Sequence, residues 1–247
     1  MTRMIVSVNN CQEAIIAQLA GADHIDLQGS QDSNSGATDA KIAVDVAQNP
    51  LLKTTTLSLS LGELTEIEPS CDFSFAHGFS YARVGLANTG AVSWREKLVE
   101  IQAGLPIGTE LVAAFYTDHI TCGAPDFWSV LKFSFVHDVP AIVFDVSAQS
   151  HGSLIDYCSL LELKDHMQAC ESAAVKSVLA GGLNLGQLNL VHQLQPDFVA
   201  LREPICYPHG SGSINPVAVG DWKAKLVARR AISHSTQNSV ATVSMDP

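Results

Sequence analysis

The chain has 247 residues, 47% of them hydrophobic and 16% charged, enough to bury one large core and a length that suits one α/β barrel better than two small domains. Its 14 basic residues stand against 25 acidic ones, a net charge of −11 with no basic patch or stripe, which argues against nucleic acid as a partner. Six widely spaced cysteines without a C-x-x-C pair, and a start that runs straight into a short apolar strand with no bilayer-length apolar segment, predict reduced thiols, no membrane partner and a cytoplasmic protein. In chain order, the apolar run Met4–Val8 predicts a strand, Cys11–Ala20 a helix closed by Gly21, and His24–Gln28 a second strand. The alternation continues with helix Asp39–Gln48, strand Thr54–Ser60, a poorly patterned helix near Cys71–Phe79 and strand Tyr81–Leu86. The second half reads helix Trp94–Ala103, strand Glu110–Thr117, helix Asp126–His137, strand Ala141–Ser147, helix Leu154–Ser172, strand Ala174–Ala180, helix Leu185–Gln195, strand Phe198–Glu203 and helix Val217–Arg230.

Strict alternation with short connections requires parallel strands. Eight such units close into a single (β/α)8 TIM barrel over residues 1–231, with an open doubly wound sheet as the alternative. Residues 232–247, rich in Ser, Thr, Asn and Gln without apolar periodicity, predict a flexible C-terminal tail.

In such barrels chemistry sits where strands end and loops begin. Asp26 and Gln28 end the second strand, Ser58 and Ser60 the third, Arg83 the fourth, Tyr116 and Asp118 the fifth, Asp145 and Ser147 the sixth, Arg202 and Glu203 the eighth. Charges gathered on one rim cost several kcal/mol each unless they pair or serve a ligand, so their convergence argues for a site. Structural roles compete: Asp26 as a loop cap or an ion-pair partner of Arg83, Asp118 as an Asx-turn residue. Asp145 lies in an otherwise apolar strand, where an unpaired carboxylate would be expelled or protonated.

Two glycine-rich segments fit anion binding, because backbone N–H groups can cradle phosphate at the loops after the last two strands. One is Ala180, Gly181 and Gly182. The other runs from Pro208 to Ser213 and contains Gly210 and Ser211. His119, His151 and His209 read as solvated loop histidines whose spacing makes no metal triad, and Trp94, Trp128 and Trp222 as core-facing helix residues. No metal and no cofactor are expected.

The segments Met4–Val8, Gly21–Leu27, Ser35–Ala37, Val84–Leu86 and Leu179–Gly182, in this order and spacing, resemble the (5-formylfuran-3-yl)methyl phosphate synthases of methylofuran biosynthesis. The resemblance runs nearly colinearly from residue 4 to about residue 230. It implies a lyase that condenses two molecules of glyceraldehyde 3-phosphate through a lysine Schiff base, the iminium serving as electron sink. It also implies three active-site lysines, and this chain has Gln28, Arg83 and Gln149 at those positions. The set carried over is thus Asp26, Gln28, Arg83, Asp118, Asp145 and Gln149 for chemistry. Ser58, Ser60, Gly181, Gly182, Arg202, Gly210 and Ser211 fall to substrate or phosphate.

Gln28 cannot form an imine, and Arg83 keeps its charge but is neither base nor nucleophile. Lys41, Lys53, Lys97, Lys132, Lys164, Lys176, Lys223 and Lys225 fall on predicted helices or strand beginnings, away from the active end. Three readings stay open. The chain is an enzyme of the methylofuran type working by enolisation, a non-catalytic homologue that binds a phosphorylated small molecule or partners a lysine-bearing paralogue, or a phosphosugar isomerase or epimerase. A homo-oligomer is expected in each case.

Overall fold

Side-chain alternation along a parallel strand sends one set of residues toward the barrel axis and the other toward the covering helices. A computed structural model describes residues 2–29, 37–68, 70–90, 92–150, 152–207 and 212–227. It shows that partition in eight strands: β1 (Arg3–Val8), β2 (His24–Leu27), β3 (Thr56–Glu63), β4 (Tyr81–Gly85), β5 (Glu110–Tyr116), β6 (Ala141–Asp145), β7 (Lys176–Leu179) and β8 (Phe198–Leu201). They pair in parallel, each with the next, and β8 returns to β1 to close the barrel. The expected single (β/α)8 barrel is the observed fold.

Outward residues such as Val6, Ile25, Leu59, Val84, Phe144 and Leu179 are fully buried in the main core, against the helices. Inward positions form a smaller apolar cluster of Ile5, Val112, Ala141, Val143, Val178 and Ala180.

The helices are α1 (Cys11–Leu19), α2 (Ala40–Gln48), α3 (Trp94–Gly104), α4 (His119–Cys122), α5 (Phe127–Val136), α6 (Leu154–Tyr157), α7 (Leu160–Ser172), α8 (Leu188–Leu194) and α9 (216–227). Several ends are set by side chains that take up free N–H groups. Asn10 accepts from Glu13 N at the start of α1, Asp39 from Lys41 N and Ile42 N at α2, and Asp126 from Ser129 N at α5.

The helical segments depart from expectation in several places. The third unit carries two 3-10 turns, Leu64–Glu66 and Phe73–Ala76, the second capped by Asp72, because the segment between β3 and β4 lacks an apolar stripe long enough for a helix. The helix expected over Leu154–Ser172 breaks at Cys158, since Ser159 and Glu162 form a capping box that starts α7 afresh. The first turn of the helix expected at Leu185–Gln195 is 3-10, and Gln195 ends it in the left-handed region at φ 51°. The short helix α4 occupies a segment expected to be loop.

Trp94 and Trp222 are core residues, whereas Trp128 is 58% exposed and lies edge-on to Phe127 at 5.1 Å. The six cysteines are free thiols. Among the described residues no helix is long and apolar enough to cross a membrane. The tail expected over 232–247 lies outside the described residues.

Candidate active site

A cavity of about 800 Å³ opens at the C-terminal ends of the strands. Polar groups on its wall include Asp26, Gln28, Glu63, Arg83, Tyr116 and Asp145. The Arg83 guanidinium is 3.8 Å from Asp145, and both side chains are largely buried, at 16% and 24% exposure. Burial pulls the Arg83 pKa down, but Asp26 and Asp145, with smaller effects from Tyr116 and Glu63, outweigh it and hold the group firmly protonated. Burial pushes the Asp145 carboxyl up from its ordinary value, Arg83 opposes this, and Asp26 and Glu63 add to the rise. Asp145 is therefore a more basic carboxylate than a solvated one.

Asp26 is 7% exposed and well satisfied. Ser58 Oγ donates to its Oδ1 at 2.6 Å, and Gln28 Nε2 donates to its Oδ2 at 3.0 Å. The Gln28 amide also donates to Ser7 Oγ at 3.0 Å, so this side chain reaches back into the barrel rather than out to solvent. Asp26 acts on Arg83 through space, while the direct ion pair is Arg83 with Asp145.

One site residue, Glu63, was not singled out from the sequence, and it holds the expected rim residue Tyr116. Tyr116 ends β5 and donates its hydroxyl to Glu63 Oε1 at 2.5 Å, and Glu63 Oε2 accepts from Ala87 N at 2.8 Å. Burial, and then the Glu63 carboxylate, push the Tyr116 phenol well above its usual pKa, so it stays a proton donor at neutral pH. Glu63 escaped notice because β3 runs past its expected end at Ser60, through an irregularity in the pairing between Ser60 and Glu63. Its carboxylate occupies the space beside Gly85, where a Cβ would come within 2.5 Å of Glu63 Cδ. Only glycine leaves that seat open.

The remaining candidates divide clearly. Gly181 and Gly182 line the mouth with φ of +65° and +67°, and a Cβ on either would meet backbone atoms at 3.0 Å. Gln149 is an exposed residue on the same wall. Ser60 is buried, accepts from Gly62 N at 3.3 Å and is not on the cavity wall. Arg202 lines the cavity but is held by Glu13 at 2.5 Å, by Ser7 O at 3.1 Å and by Gly212 O at 2.8 Å. Gly210 and Ser211 lie outside the described residues, as do His151 and His209.

Asp118 is 3% exposed and off the cavity wall. It accepts from Ser147 N at 2.9 Å, Ser147 Oγ at 2.5 Å and Ser150 Oγ at 2.6 Å. Burial alone would raise its pKa, but these bonds outweigh it and lower the value. The carboxylate thus pins the loop after β6 that carries Gln149. Replacing Asp118 with Ala should cost about 2–4 kcal/mol in urea unfolding, since it strands buried seryl donors. A loss under 1 kcal/mol would show that the loop holds without it.

His119 does not project from a solvated loop. It opens α4, its ring lies 5.8 Å from Phe115, and its Nδ1 is buried without a partner. Of the lysines, Lys176 does line the cavity, though from the N-terminal end of β7. Lys223 pairs with Asp23, and Lys97 donates to Leu64 O at 3.3 Å.

The family described as 4-HFC-P synthase matches residues 4–223 of this sequence. The chain belongs to that family. Among its relatives, the (5-formylfuran-3-yl)methyl phosphate synthase of Methanobrevibacter smithii is 24% identical over 231 residues, covering 89% of this chain and 97% of that protein. The enzyme of the same name from Methanococcus aeolicus is 25% identical over 211 residues, covering 82% of this chain and 89% of the relative. Among solved structures, phosphoribosyl anthranilate isomerase from Thermus thermophilus superimposes with a TM-score of 0.58 at 13% identity, over 92% of this chain and 99% of that one, a likeness of fold.

Proposed function

We propose that this member of the 4-HFC-P synthase family is a lyase-type synthase that acts on a phosphorylated three-carbon aldehyde by acid–base chemistry, without an imine. The pairing of Arg83 with a raised-pKa Asp145 at the barrel mouth carries the reading. Arg83 is the electrophile. Its N–H groups can hold a carbonyl oxygen as negative charge develops on it, while Asp145 removes the proton from the adjacent carbon. The hydrogen-bonded pair of Tyr116 and Glu63 beside them is the candidate proton source for a departing hydroxyl. Condensing two molecules of glyceraldehyde 3-phosphate into (5-formylfuran-3-yl)methyl phosphate balances with release of one phosphate and two waters, which needs enolisation and dehydration but no redox partner. Gly181 and Gly182 line the mouth as the candidate phosphate grip.

Incubating the purified protein with glyceraldehyde 3-phosphate should give a furan chromophore and free phosphate, slowly because no amine is available to form the electron sink. Asp145→Asn should lower the rate by about 100-fold or more, the usual contribution of a positioned general base. Borohydride should trap no adduct. Ligand binding with neither chromophore nor phosphate release would favour the other reading, a binding homologue. That alternative draws on one observation: the Gln28 amide, at the position where the resemblance puts a lysine, is held by Ser7 and Asp26 and cannot form an imine.

A further inference from the structure

The outer face of α5 is unlike the rest of this acidic chain. The helix carries one charge, Lys132, and no carboxylate, against a net charge of −11 for the whole sequence. Trp128, Lys132 and Phe135 stand at i, i+4 and i+7, which sets them on one stripe, opposite the buried Val130 and Ser134. Trp128 is 58% exposed and Phe135 65%, with Val136 at 59% beside them. Single apolar side chains at a surface are ordinary, whereas a stripe with two large rings marks a contact.

The helices on either side of α5 turn opposite charges toward it. On one side lies α3, where Trp94 meets Phe133 at 5.5 Å and Gln102 donates to His137 O at 3.2 Å. Arg95 shares the Gln102 side of α3, and Lys132 leans the same way from α5, so this flank is cationic. The acidic Glu96 and Glu100 of α3 turn away from it. On the other side lies α7, with His166 stacked on Phe127 at 3.9 Å. Glu162 and Asp165 occupy the His166 side of α7, where both act on that ring, and Lys164 lies on the far side, in a cleft shared with residues of α8. This flank is anionic. Among the described residues Arg95, Lys132, Glu162 and Asp165 form no salt bridge within the chain.

We propose that the α5 face joins two copies of this chain about a two-fold axis running along α5, with Trp128 packed on the partner's Trp128, and Arg95 and Lys132 facing the partner's Glu162 and Asp165. Rotation about that axis exchanges left for right, so it carries α7 of one copy across to α3 of the other. Cations on one flank and carboxylates on the other are thereby matched twice. An axis perpendicular to α5 would instead set Lys132 beside the partner's Lys132. An anionic bilayer surface would be repelled by Glu162 and Asp165, and an unrelated protein gives no reason for the charge to change sign across the midline. The inference does not depend on the reaction at the barrel mouth.

Sedimentation equilibrium of the full chain should give the mass of a dimer, one that loosens as salt is raised. Lys132→Glu and Asp165→Lys should each weaken dimerisation by about 10-fold or more, because the axis doubles every like-charge contact. Mixed in equal amounts, the two variants should recover the dimer, since Glu then faces Lys and Lys faces Asp at the two related contacts. A wild-type monomer, a dimer indifferent to both reversals, or a mixture no tighter than either variant alone would overturn the inference. Should a variant misfold, acrylamide quenching of the wild type decides it. Trp94 and Trp222 are buried, so dilution should raise the quenching through Trp128, and quenching that does not change with protein concentration would equally overturn the proposal.

Discussion

Arg83→Met destabilises the fold by about 3–5 kcal/mol at pH 7, the expected cost of removing one partner from a buried ion pair. Arg83 is the cation among Asp26, Glu63 and Asp145, and its loss leaves those carboxylates facing one another across the mouth. The deficit should shrink as pH is lowered. Asp145 already has a raised pKa, so a folded state that loses Arg83 takes up its proton sooner than the unfolded chain does, and the repulsion is relieved as pH falls through that value. Urea unfolding at pH 7 and pH 5 measures both effects. Arg83→Met combined with Asp145→Asn should recover part of the stability, because it removes the stranded charge. A loss below 1 kcal/mol at pH 7 would mean that the carboxylates are hydrated well enough not to need the guanidinium.

The second large effect belongs to His24. Burial lowers its pKa from 6.5 to about 4, although Asp26 pulls the other way. The folded state therefore refuses a proton that the unfolded state accepts. Stability contributed in this way is present above pH 6.5 and is lost as pH falls from 6.5 toward 4, by about 3 kcal/mol in total. His166, lowered by burial in the same sense, adds to the slope, whereas the raised Asp145 opposes it near the acid end. In a pH series of urea unfolding, His24→Leu should flatten the decline between pH 6.5 and 4 while leaving the remainder due to His166. A slope unchanged by the substitution would place the titration elsewhere.

How much of this was readable from the residues follows from periodicity. Strand alternation fixed which side of β2, β4, β6 and β8 faces the axis, so Asp26, Arg83, Asp145 and Arg202 were legible as a convergent group. Their partners were not, because pairing across a closed sheet depends on register and rotamer. Arg202 clasps Glu13 from α1, and Asp118 holds Ser147 and Ser150 across a loop, contacts that no local pattern predicts. Glu63 was hidden by the irregularity that carries β3 beyond Ser60. Gly85, directly across from Glu63 in the pairing, was the available signal: a glycine within an apolar strand marks a close approach. His24 begins β2, at the end of the strands opposite to the one where barrel chemistry sits, so position along the strand points away from it.

The clasp between Arg202 and Glu13 joins residues 189 positions apart, beside the pairing of β8 with β1 and the bond from Thr2 Oγ1 to Pro196 O at 2.7 Å. While the chain is being synthesised, the first strand must wait for the eighth before either has its full complement of neighbours. Glu13, 7% exposed in the finished molecule, remains a hydrated surface carboxylate until Arg202 leaves the ribosome. Closure of the barrel consequently follows the synthesis of all the other strands, and a nascent chain arrested before β8 exposes the edges of an open sheet to whatever chaperone is at hand.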